Sequence, residues 1–228
     1  FMLAGAMDHE TGTKDITKMG GLWRSMPKTA MITCLAALSL AGLPPLFGFV
    51  AKELMFESLL NAPLLSWTLL AAAVTASIMV VAVAGLVSIK PFFGPVRATP
   101  KQPHDAPFAM LIGPAVLSLI ALVFGMVPFL PAGFVLDAAV SSVYGSGVQT
   151  ALALWHGVNV PLMLSGAGLL AGSLLLVSWQ QLQPRLYAIN TIASRFGPEA
   201  GYFRIMLGIT QIASWQTRLL QNGVLGIY

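Results

Sequence analysis

The sequence predicts an all-α protein: a polytopic transmembrane helical bundle with one broken helix and amphipathic helices lying in the membrane plane. Three observations carry this. First, of 228 residues 57% are hydrophobic and only 9% are charged, where soluble domains carry roughly 25% charged residues. Second, the mean hydropathy is +0.81. A water-soluble globule of this size must leave much of its surface to water and has no room to hide so much apolar area. Third, four apolar stretches reach the length of a bilayer crossing, about 20 residues. Soluble enzymes, nucleic-acid binders and disordered scaffolds are excluded, and the bilayer is the expected solvent.

The first stretch runs from Lys28 through Glu53 and Glu57 to Leu60. As one straight helix it would be about 50 Å long, too long for one span. It contains Gly42, Leu43, Pro44, Pro45 and Gly48. Two adjacent prolines remove two backbone donors and clash with the preceding turn. The prediction is one crossing made by two half-helices, residues 27–41 and 48–60, with an unwound joint between them. The second stretch covers residues 64–89 and is expected to stop at Lys90-Pro91, a cation followed by a proline. The third covers 108–129, closed by Pro128 and Pro131.

The fourth stretch covers residues 159–180. Asn159 suits an N-cap, with Pro161 in the first turn. Trp155 and Trp179 flank it, about 36 Å apart as helix, a spacing that fits two aromatic belts. Gly168 and Gly172 form a GxxxG face for close packing, a motif common in membrane helices. Between the third and fourth stretches, Asp137 lies on a short in-plane helix expected over residues 134–144.

Residues 185–221 differ. Arg185, Arg195, Arg204 and Arg218 interrupt any span, while apolar residues recur at helical spacing. Gly197-Pro198 divides two amphipathic helices, placed in the interface plane or against partner helices. Residues 223–228 begin a new apolar stretch. The expected parts are therefore 1–63 with the broken helix, 64–182 with three crossings, and 183–228 with the amphipathic helices and the start of another span. Phe1 follows no basic segment or cleavage signal. Both ends look cut, so a fragment or split product of a longer protein is expected.

The cations sort along these elements. Lys14, Lys18, Arg24 and Lys28, then Lys90, Arg97 and Lys101, then the four late arginines all fall on one side. The loops of the other side, residues 61–63 and 130–157, hold no Lys or Arg. Such a bias marks the cytoplasmic side of the cell membrane. It holds only if residues 27–60 cross once, which supports the broken helix independently of its prolines.

Lys52 is the cation left in the membrane, just past the joint. A charge at the bilayer centre costs about 2.5–3.5 kcal/mol on insertion scales. Broken helices in transporters set free backbone groups beside ion sites. Lys52 is thus read either as a proton-exchanging group or as a lysine snorkelling to an interface. Glu53 and Glu57, four apart, share one helix face; they extend a relay or form a solvated helix mouth. His156 is a titrating or a structural histidine at a helix start. Residues 8–15, with Asp8, His9 and Glu10, read as a polar loop without metal-ligand spacing. His104-Asp105 reads as solvated. The lone Cys34 sits in an apolar run as a small buried residue. Nothing points to catalytic residues, a cofactor or a metal site, so no enzyme activity is expected.

These residues resemble a known family. The run Asp8-His9-Glu10-Thr11-Gly12-Thr13-Lys14-Asp15, then Met19-Gly20-Gly21-Leu22, then Gly42-Leu43-Pro44-Pro45 and Gly48-Phe49-Val50-Ala51-Lys52-Glu53 is similar to the antiporter-like membrane subunits. These occur in respiratory complex I and in multisubunit Mrp-type Na⁺/H⁺ antiporters. The first run and Leu154-Trp155-His156-Gly157-Val158-Asn159-Val160-Pro161 look most like the A-subunit branch of the Mrp type. The resemblance runs along essentially the whole chain. It implies monovalent cation (Na⁺)/proton antiport, with Lys52 in a chain of buried lysines, histidines and glutamates that relays protons. The family's other relay residues, a glutamate and lysines on earlier helices, have no counterpart here. Implied partners are other antiporter subunits in a hetero-oligomeric complex, Na⁺ and H⁺ as transported ions, and the lipid bilayer, with no nucleic acid. Two alternatives stand beside it: a proton-pumping subunit of complex I or a membrane-bound hydrogenase, and a structural membrane scaffold.

Overall fold

The computed structural model describes residues 1–63, 66–145, 152–155, 157–184, 186 and 197–220. All regular elements among them are helical. The chain divides into two units, Phe1–Val177 and Ser178–Tyr228.

In the first unit the order is α1 (Met2–Thr11), a 3-10 turn (Ile16–Lys18), α2 (Pro27–Ala41), α3 (Phe47–Leu60), α4 (Ser66–Phe93) and α5 (Phe108–Met126). The short α6 (Phe129–Pro131), a π turn (Ala132–Leu136), α7 (Asp137–Tyr144) and α8 (Val160–Val177) follow. Helices α4, α5 and α8 are long and apolar enough to cross a membrane; α2 is apolar but shorter.

Local chemistry explains the boundaries. Pro27 opens α2, where its missing N–H costs nothing. The free N–H groups of that first turn meet a carboxylate from far along the chain: Lys28 N (3.1 Å) and Thr29 N (3.2 Å) donate to Asp105 Oδ1. The Thr29 hydroxyl donates to the same oxygen at 3.2 Å. Asp105 is therefore the N-terminal cap of α2 and not merely a solvated loop residue. At the other end Gly42 turns left-handed, φ 76°. Gly42 N donates to Ser39 O (3.0 Å) and Leu43 N to Leu38 O (3.1 Å), the pair of bonds of a Schellman closure. On α8, Asn159 Oδ1 accepts from Leu162 N at 2.9 Å, the cap expected of it.

Two expectations are corrected. α1 extends to Thr11, so Asp8, His9 and Glu10 are helical and not in a loop. Leu3, Ala6, Met7 and Glu10 form its buried face, and the Thr11 hydroxyl donates back to Met7 O at 2.7 Å. Helix α4 runs past Lys90-Pro91 to Phe93. A proline in the last turn forfeits one donor only, and two carbonyls left open by the helix end are taken: Leu22 N donates to Pro91 O (3.1 Å) and Trp23 N to Phe92 O (3.2 Å).

Those bonds belong to a layer at one end of the unit. Lys101 N donates to Thr11 O at 3.2 Å and Arg97 N to Gly20 O at 3.4 Å. The Arg97 guanidinium donates to Thr17 O. Beneath them Met7, Met19, Leu22, Met26, Ala30 and Phe92 make one apolar cluster. The cations of residues 14–28 and of 90–101 thus share one end of the unit.

Helix directions follow from close approaches. A Cβ on Gly168 would lie 3.0 Å from Ser77 Oγ, and one on Gly172 2.6 Å from Val81 Cβ; one on Gly85 would strike Leu176. The three contacts keep one offset, so α4 and α8 run parallel. The GxxxG face of α8 is what seats it on α4.

The second unit contains a helical stretch at 179–184 and α9 (Pro198–Leu220). Tyr202, Phe203, Ile205, Ile209, Ile212 and Trp215 of α9 are exposed. Most of the first amphipathic segment, 185 and 187–196, and the final stretch 221–228 lie outside the described residues.

Candidate functional site

The site is built on the joint between α2 and α3. Helix α2 leaves four C-terminal carbonyls without helical donors. Those of Leu38 and Ser39 are closed by the turn at Gly42. Ala41 O instead accepts from Lys52 Nζ at 3.4 Å. The lysine stem lies over Gly42, where a Cβ would be 2.9 Å from Lys52 Cδ. A helix C-terminus carries partial negative charge, which favours a cation there. So the interruption that frees Ala41 O also makes the seat for Lys52.

Pro44 and Pro45 hold the chain out of helix between the two halves, joined by a cis peptide. Gly48 lets the first turn of α3 lie against the end of α2: a Cβ there would collide with the Ser39 carbonyl. The joint is gripped from outside by Gly125 of α5, whose backbone meets Pro45 and Leu46.

Lys52 is half-buried and borders a cavity of about 660 Å³ between α2, α3, α4 and α5. Its polar wall is Ser39, Lys52, Ser77 and Ser118; most of the remainder is alanine and larger apolar side chains. Glu53, one residue on, is buried, 7% exposed. Glu57 is exposed, so the two carboxylates occupy different surroundings. His156 lies outside the described residues.

Three features are not apparent from the sequence. Ser77 and Ser165 are buried, and each hydroxyl lacks a hydrogen-bond partner among the described residues. Glu10, 4% exposed, has His9 Nδ1 at 2.8 Å from Oε1 and His104 Nε2 at 3.1 Å from Oε2. His104 thereby ties the 94–107 loop to α1. The spacing Leu3, Ala6, Met7, Glu10 already puts Glu10 on the buried face of a helix; the partner histidine, far along the chain, has no such signal.

Near the same end Asp15 Oδ1 accepts from the Thr17 hydroxyl (2.6 Å) and Thr17 N (2.9 Å). The hydroxyl first, then the backbone N–H, holds the Asp15 carboxyl below its usual range.

Comparison with known proteins agrees with this architecture. Residues 1–80 match the family described as NADH:quinone oxidoreductase/Mrp antiporter, TM. The chain is 32% identical over 215 residues to the A1 subunit of the Na⁺/H⁺ antiporter of Staphylococcus saprophyticus, covering 86% of this chain and 27% of that protein. It is 36% identical over 182 residues to the A/B subunit of a probable K⁺/H⁺ antiporter of Rhizobium meliloti, covering 75% and 18%. Among solved structures, the Mrp complex of Dietzia sp. matches with a TM-score of 0.64 and 31% identity, over 93% of this chain and 23% of that one. The chain thus spans about a quarter of the length of the Staphylococcus relative and of the Dietzia chain. Residues 1–80 match part of a membrane family that NADH:quinone oxidoreductases and Mrp antiporters share, and the chain as a whole is homologous to the A subunits of Mrp-type Na⁺/H⁺ antiporters.

Proposed function

We propose that this chain works within a multisubunit monovalent cation/proton antiporter and that Lys52 relays protons there. The observation that carries the reading is the position of Lys52: Nζ sits on the helix joint, bonded to Ala41 O, at the wall of the cavity. Lysine has three N–H donors, so donors remain for water after the bond to Ala41. It exchanges a proton readily when moved between a wet and a drier setting.

In this reading α2, the joint and α3 form one crossing, with the loops rich in Lys and Arg on the cytoplasmic side. Glu53 extends the path within the protein, Glu57 forms its solvated mouth, and His156 is a further titrating group. The joint at Gly42, Pro44, Pro45 and Gly48 gates contact between Lys52 and the cavity. The relatives named above support other antiporter subunits as partners. Na⁺ is the favoured cation, and the Rhizobium relative makes K⁺ its rival.

The test is Lys52→Ala in the complete antiporter, with dye-detected pH gradients on addition of Na⁺ or K⁺. Loss of antiport in an assembled complex is expected. Full antiport with either cation would overturn the role of Lys52.

A further inference from the structure

Two serine hydroxyls are buried on the facing helices α4 and α8. Ser77 Oγ on α4 and Ser165 Oγ on α8 are buried without a hydrogen-bond partner among the described residues, at 8% and 1% exposure. Burying an unpaired hydroxyl forfeits its hydration. Alanine would fill either place without that loss, so packing alone does not account for the pair.

Their surroundings point to water. Ser77 Oγ lies 3.0 Å, and Lys52 Nζ 3.8 Å, from one point, the place a Cβ on Gly168 would take. The two polar atoms are therefore within about 7 Å of each other, but beyond direct hydrogen-bond reach. One water molecule bridges such a separation. Ser165 stands three residues before Gly168, hence on the same face of α8. Lys52 and Ser77 also border the cavity, where they and two further serines form its polar wall.

We propose that water is bound where α8 meets α3 and α4, held by Ser77, Ser165 and Lys52, and that the proton route from Lys52 runs through it. The inference rests on the relay reading of Lys52 and deepens it. In one step an N–H of the Lys52 ammonium breaks and an O–H forms on the bound water. That water releases another of its protons to the next water, so none is consumed. The serines are positioning residues: they orient the water and carry no net charge at any stage. The route then includes α8, which lies outside residues 1–80.

The experiment uses the complete antiporter in proteoliposomes. Ser77→Ala, Ser165→Ala and the double variant are compared with Ser77→Thr and Lys52→Ala. Each alanine removes a hydroxyl with no protein partner, so assembly is expected to match the parent. The double variant is expected to lower the maximal antiport rate about fivefold or more. Its KM for Na⁺ stays unchanged, and the ratio of rates in H₂O and D₂O rises. Ser77→Thr keeps the parental rate. Parental rate and isotope ratio in the double variant, with Lys52→Ala inactive, would sink the water site and leave Lys52 as the relay. An active Lys52→Ala would sink both. Radiolytic hydroxyl labelling of the unmodified complex reads the same point without variants. Labelling beside Ser77 and Ser165 is expected to exceed that at exposed Leu170, and equal or lower labelling there overturns the site.

Discussion

Lys52 Nζ donates to the carbonyl of Ala41 at 3.4 Å, joining the second turn of α3 to the last residue of α2. The bond is long, since N–H···O bonds in proteins cluster near 2.9–3.0 Å. It occupies one donor of the ammonium without enclosing it. The negative end of α2 steadies the charge, while the cavity leaves a second approach open. The helical donor to Ala41 O would be residue 45, and Pro45 has no N–H, so the proline itself leaves this seat open.

That arrangement separates a proton carrier from a mere positive charge. Lys52→Arg keeps the charge and still reaches a carbonyl, but a guanidinium does not deprotonate in proteins. Lys52→Arg is expected to lose antiport as fully as Lys52→Ala while assembling normally. Retained ΔpH-coupled cation flux in Lys52→Arg would mean that charge alone suffices.

Gly42 and Gly48 make a graded pair. Gly42→Ala forces a side chain into the left-handed region, roughly 1–2 kcal/mol. It also pushes on Lys52 Cδ, a flexible stem that yields. Lower melting temperature and reduced antiport in an assembled complex are expected. Gly48→Ala meets the Ser39 carbonyl, which is backbone and does not yield. Its expected effect is loss of the assembled complex from the membrane, measured by quantitative immunoblot. Equal behaviour of the two would contradict the packing described.

Much of this architecture is legible because membrane helices announce themselves through composition. Residues 27–41 are helical as the sequence predicts, since Pro27 and Gly42 are local signals that need no tertiary partner. Asn159 caps α8 as expected for the same reason. The unforeseen parts depend on distance along the chain. Asp105 caps a helix by accepting from Lys28, 77 residues earlier, and His104 reaches back to Glu10 on α1. Lys52 is legible as a buried charge. Ser77 and Ser165 are not, because a serine in an apolar helix usually bonds its own backbone, as Ser88 does with Ala84 O at 2.6 Å.

The Asp105 cap makes a stability prediction. Asp105→Ala removes the acceptor of Lys28 N, Thr29 N and the Thr29 hydroxyl together, at a cost of about 0.5–2 kcal/mol. Asp105→Asn keeps an acceptor and is expected to fall between the two. Limited proteolysis of the 94–107 loop checks this: Asp105→Ala is cleaved sooner, and an unchanged cleavage rate would show that Asp105 does not hold the start of α2.

Asp15 supplies a pH dependence whose sign follows from its lowered carboxyl. A carboxyl that is more acidic folded than unfolded stabilises the fold above the unfolded value, and that contribution disappears as pH falls through the folded one. The 3-10 turn Ile16–Lys18 is expected to lose amide protection on acidification below the ordinary carboxylate range, after correction for intrinsic exchange. Asp15→Asn should lack that acid-dependent loss. Matching profiles for parent and variant would deny Asp15 its part in the turn.

The α4–α8 seam gives the sharpest packing test. A Cβ on Gly172 would stand 2.6 Å from Val81 Cβ and 2.8 Å from the Ile78 carbonyl, so even alanine must displace backbone. Membrane helices associate through such small-residue contacts because lipid offers no hydrophobic drive between them. Gly172→Val is expected to cost about 1–3 kcal/mol by overpacking and to separate α8 from α4. Because Gly168 packs close to Ser77 and Lys52 on the same helix face, that separation should also lower antiport. The partner change Val81→Ala removes the crowding side chain but not the Ile78 carbonyl, so Gly172→Val/Val81→Ala should recover part of the melting temperature. Additive losses in the double variant would show that the two residues do not meet.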